Sequence, residues 1–77
     1  MTDKEIVERF STRLRERREE LKLTQADLAR KCGAHAQGIW QWEHAYHEVG
    51  VCSAVKLAVA LEVPVDWLLG LCDNKNI

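Results

Sequence analysis

The sequence is poor in the residues that break helices or cross-link chains. Its 77 residues include one proline, Pro64, and four glycines, too few for a turn-rich all-β chain. No segment alternates apolar and polar residues, while 47% of the residues are apolar, so an all-α fold is expected. No apolar run approaches the roughly 20 residues of a membrane helix, and the N-terminal MTDKEIVERF is charged. A soluble, cytoplasmic protein without a membrane partner is therefore expected. The three cysteines, Cys32, Cys52 and Cys72, are odd in number and form no C-x-x-C pair, which argues against a disulfide framework or a zinc knuckle. There is no glycine-rich phosphate loop, and no Ser/His/Asp or Cys/His arrangement has supporting context. Neither an enzyme nor a cofactor or metal is expected.

Length leaves room for one domain, residues 1–77, burying roughly three-fifths of its unfolded surface. Residues 23–43, LTQADLARKCGAHAQGIWQWE, read as a helix, a glycine turn and a second helix. Two helices crossing steeply at close range need a small residue at the crossing, and Ala29 stands there. Four residues later Gly33 supplies the left-handed backbone that reverses the chain. Leu28, Cys32, Ala34, Ile39 and Trp42 keep to the inner side, whereas Ala36, Gln37, Trp40, Gln41 and His44 are assigned to the outer face. Core packing is expected of Trp42 and Trp67.

Around this pair the pattern predicts three more helices. Asp3 is expected to cap the first, which runs to about Leu21 with Ile6, Val7, Phe10, Leu14 and Leu21 as its apolar stripe. Thr24 reads as the cap of the second, with Asp27 as a short capping-box partner. His35 precedes the third, which ends near Glu43, and residues 44–50 read as a polar loop. The fourth spans about residues 51–61. Its Val55, Leu57, Ala58, Val59 and Leu61 leave few polar positions, as for a helix in the middle of a bundle. Pro64 opens a short last helix, VDWLLG, before a polar tail over residues 73–77.

A net charge of -1 is unusual for a partner of a polyanion. The distribution is uneven: residues 9–42 carry eight basic against four acidic side chains, and residues 43–77 carry two against five. The basic half contains the paired helices.

With RLRERREELKLTQADLA, KCGAH, AQGIWQWE and KLAVALEVPVDWLLG in order and in register, residues 9–70 resemble the Cro and phage-repressor, or XRE-like, helix-turn-helix family. The resemblance implies a compact five-helix bundle of the lambda-repressor type that binds double-stranded operator DNA in the major groove as a homodimer. It implies that Gln25 bonds a phosphate and touches the recognition helix, that Gln37 and Gln41 read base edges, and that Arg18 and Glu43 bridge the first helix to the end of the third as a structural pair. An amide suits adenine N6 and N7, at about 1–3 kcal/mol of discrimination per bidentate contact. His35 is expected at a phosphate or as a cap, and Ala36, Trp40 and His44 complete the expected DNA face. Leu68, Leu69 and Leu71 are the candidate dimer contacts.

The chain departs from the family in its loop, HAYHEVG, where Lys and Arg are absent from Trp42 to Lys56. Since phosphate contacts supply most non-specific affinity, this predicts weaker binding with a shallower salt slope unless His44, Tyr46 or His47 substitute. Trp40 on an outer face could stack on sugar or thymine methyl groups, bury itself in a partner, or fold over surface arginines. Two functions thus compete: a transcriptional regulator, expected to repress from a palindromic operator, and a protein-interaction module such as an antitoxin or phage accessory protein with secondary DNA binding.

Overall fold

Five helices follow one another in the computed structural model, which describes residues 1–75: α1 (Asp3–Glu20), α2 (Gln25–Cys32), α3 (Ala36–Glu43), α4 (Val51–Leu61) and α5 (Val65–Leu68). The expected all-α five-helix bundle is met. The end of the tail assigned to residues 73–77 lies outside the described residues.

Local chemistry fixes most helix ends. At the start of α1 the cap is Thr2, one residue before the expected Asp3, because Thr2 and Glu5 complete a capping box that Asp3 has no partner to form. Thr24 caps α2: its hydroxyl accepts from the Asp27 amide at 3.0 Å and the Asp27 carboxylate accepts from the Thr24 amide at 3.0 Å. These bonds from Thr24 hold the Asp27 carboxyl below its usual range. The cap therefore stabilises the fold above the ordinary carboxylate range and loses that effect as the pH falls through the lowered folded value.

Gly33 ends α2 at φ 71°, in the left-handed region. Gly38 sits inside α3 with an ordinary helical backbone, and a Cβ there would meet nothing within 4 Å. The two glycines should respond oppositely to alanine. Gly33→Ala is expected to lose about 1 kcal/mol through a strained φ, and Gly38→Ala to gain about 0.5–1 kcal/mol through helix propensity. Urea unfolding of the two variants checks both signs.

The core gathers Phe10 and Leu14 from α1, Leu28 and Ala29 from α2, Ile39 from α3, Leu57 and Leu61 from α4, and Trp67 and Leu68 from α5. Helix α2 lies between α3 and α4, and α1 packs against α3 and α5. Ala29 is buried in α2 as the helix crossing requires. Two expectations of burial fail. Ile6 is exposed near the start of α1, beyond the end of the core. Helix α4 turns only Ala54, Leu57, Ala58 and Leu61 inward, while Val51, Val55 and Val59 form a solvent-facing stripe, because its partners α2 and α5 cover one side alone.

Candidate nucleic-acid interface

Helix α3 has eight residues, too short to persist alone. Its inner side is fixed by Ile39, fully buried, and by Trp42, half-buried against the core. Its end is fixed by an ion pair. Arg18 of α1 grips Glu43 with both arms of its guanidinium, Nε to Oε2 at 2.5 Å and Nη2 to Oε1 at 3.0 Å. The Glu43 side chain is only 1% exposed, so losing its partner would leave a charge stranded in a dry site. The Glu43 carboxylate in turn holds the Arg18 guanidinium above its usual pKa. Gln25, at the start of α2, donates from Nε2 to Glu43 Oε1 at 3.2 Å. One carboxylate thus ties three helices together. Ser11 adds a contact that sequence reasoning missed, its hydroxyl donating to the Trp42 carbonyl at 2.5 Å. A lone serine on a charged helix carries no signal for such a bond.

With the inner side fixed, Ala36, Gln37, Trp40 and His44 face solvent and Gln41 is half-buried. His35 stands at the cap position of α3 but its side chain bonds no cap amide. Gln37, Gln41 and His35 line an open groove with Gly33, Gly38 and Ser53. Ser53 belongs to α4 and comes to this groove only through the packing of α4 on α2, which no local spacing foretells.

Trp40, 41% exposed, does not fold over arginines. It stacks on the His44 imidazole with ring centroids 3.9 Å apart and on Tyr46 at 5.6 Å. His44 Nδ1 lies 2.8 Å from the Trp40 carbonyl, so this nitrogen carries the proton as donor. A stacked aromatic plate therefore continues the outer face of α3 into the loop.

Only part of the basic half of the sequence is basic surface: Arg15, Lys22 and Lys31 are exposed, while other arginines are turned to partners. Arg9 donates to the Gly70 carbonyl at 3.0 Å, Arg13 to those of Trp67 and Cys72 at 2.6 Å each, and Arg17 to that of Leu61 at 2.9 Å. These three, one helical turn apart along α1, cap the carbonyl ends of α4 and α5. Arg13 also lies over the Trp67 ring at 4.9 Å. Arg18 is held by Glu43 and Arg30 by Asp27. Charge counting along the chain could not show this, because it records the sign of a side chain and not its direction.

Leu68 is fully buried and belongs to the core, which removes it from any partner surface; Leu69 is half-buried and Leu71 exposed. Cys32 is buried, which pushes its thiol pKa up, whereas Cys52 is exposed. No group of His, Cys, Asp and Glu among the described residues could hold a metal, and no described helix is long and apolar enough to cross a membrane.

No curated protein sequence matches the chain. Among solved structures it is similar to the P22 c2 repressor protein in complex with a synthetic operator, with 33% identity and a TM-score of 0.78 over 82% of this chain and 96% of that one. The sequence profile of the helix-turn-helix family matches residues 14–68. From the capped α2, the left-handed turn at Gly33, the braced α3 and this match over most of its length, the chain belongs to the XRE-type helix-turn-helix family.

Proposed function

We propose that the protein is a DNA-binding transcription regulator, not an enzyme, that reads a palindromic operator as a homodimer and represses. The observation that carries this reading is α3 itself: a short helix braced by the Arg18–Glu43–Gln25 network, presenting Gln37 and Gln41 together on an open groove. Its likeness to a repressor in complex with an operator supports the same reading. In this arrangement the two amides read base edges in the major groove. Gln25, His35 and the first-turn amides of α3 meet phosphate, while Ala36, Trp40 and His44 contact sugar and methyl groups alongside. Leu71, which is exposed, remains as a dimer contact, whereas Leu69 is half-buried against the core. Because Arg9, Arg13 and Arg17 are engaged with carbonyls, fewer counterions are released than the number of basic residues suggests and affinity depends weakly on salt.

Selection from a random duplex pool at about 100 mM salt tests the proposal. Wild type should enrich an adenine-containing inverted repeat. Gln41→Ala should bind the selected site about 1–3 kcal/mol more weakly and lose the preference at one base pair per half-site. Absence of enrichment by wild type overturns the reading. An enriched site that Gln41→Ala binds unchanged removes Gln41 from the reading face.

A further inference from the structure

We propose that the groove between the N-terminal half of α1 and the loop over residues 44–50 is a docking site for a cationic, amphipathic segment of another polypeptide. The groove has two connected parts of about 250 and 500 Å³ that share Asp3, Val7 and Glu48. Ile6, Val7, Val49 and Leu69 form its apolar wall over Phe10. Ile6 is exposed, and Val7, Val49 and Leu69 are half-buried, so this wall offers apolar surface that the fold leaves uncovered.

The rim identifies the occupant. Asp3, Glu8 and Glu48 stand on it with Lys4 as the single Lys or Arg, and none of the three carboxylates has an ion-pair partner among the described residues. A nucleic acid would meet like charge here. A second copy of this chain fits poorly, because its exposed apolar stripe on α4, Val51, Val55 and Val59, is accompanied by Lys56 alone, and Arg9, Arg13 and Arg17 of α1 are already bound to carbonyls. Apolar side chains flanked by several Lys or Arg satisfy both wall and rim, as in the helix-in-groove mode of recognition. The loop that lacks Lys and Arg for phosphate thus serves a protein partner. The groove shares no lining residue with the one that holds Gln37 and Gln41, although its Tyr46 stacks on Trp40 of α3.

The test is an amide-resolved NMR titration of the full chain with a synthetic helix-forming peptide bearing leucines on one face and lysines along its flanks. The same peptide with glutamates in place of the lysines is run beside it. Shifts should cluster at Ile6, Val7, Val49 and Leu69, and the glutamate peptide should bind at least about tenfold more weakly. The exposed pair Glu8→Lys and Glu48→Lys, whose dispersed spectrum reports an intact fold, should weaken the lysine peptide by about the same factor. Gln41→Ala should leave it unchanged. The proposal is overturned by equal binding of the two peptides, by the absence of saturable binding of the lysine peptide, by shifts centred on the α4 valines, or by a DNA duplex that occupies the groove.

Discussion

Arg18→Ala is expected to cost about 3–5 kcal/mol of stability, because it strands the Glu43 carboxylate in a site where its side chain is 1% exposed. A domain of this length has roughly 4–12 kcal/mol in total, so much of the population would be unfolded under mild denaturant. The loss comes from the unpaired charge more than from the bond itself. Replacing both partners by leucine should therefore recover a large part of it, since a buried ion pair exchanged for apolar side chains is often near neutral. Urea unfolding of the single and double variants measures the difference. A loss below about 1 kcal/mol for Arg18→Ala would mean that water reaches Glu43 and that the pair behaves as a surface salt bridge.

Ile39→Ala is the second large effect, about 2–5 kcal/mol from lost burial and the cavity left behind. Its consequence for function differs from that of a general destabilisation. Ile39 is the one apolar side chain of α3 that is fully buried, and eight residues cannot stay helical without tertiary support. Hydrogen exchange at the amides of α3 should accelerate more than at α1 or α4. Operator affinity should fall beyond what the unfolded fraction explains, because the bound state must re-form the helix. Uniform acceleration across all five helices would show instead that α3 opens only with the whole domain. The contrast with Gln41→Ala, which should change DNA binding while leaving the unfolding midpoint in place, separates holding the reading helix from reading with it.

The parts of this protein that were legible in its sequence are those governed by local geometry. Thr24 and Asp27 sit three residues apart, the spacing a capping box requires, and the bonds they make involve no other element. Gly33 was legible because a residue without Cβ at the end of an apolar-periodic stretch has few other roles. The placement of Ile39 inward, and of Gln37 outward, likewise follows from a repeat of 3.6 residues once one face is assigned to the core. Resemblance to a family added Arg18 and Glu43, which lie 25 residues apart and which no spacing rule would join.

Elsewhere spacing alone does not give direction. Arg9, Arg13 and Arg17 share one side of α1, and their guanidinium groups bond the carbonyl ends of α4 and α5. Val55 and Val59 are apolar and regularly spaced, yet α2 and α5 leave them uncovered. Leu68 and Leu71 are alike in sequence, but one fills the core and the other is open to water. The sequence by itself therefore determined the helices, their caps, the turn between α2 and α3 and the family to which the chain belongs, since each depends on residues within a few positions or on a pattern kept in register. Only the tertiary structure decided which helix faces meet. That choice settled the fate of the arginines, the approach of Ser53 to the groove of Gln37 and Gln41 and the apolar groove beside α1, because every one of these arises from side chains brought together by helices far apart in the chain.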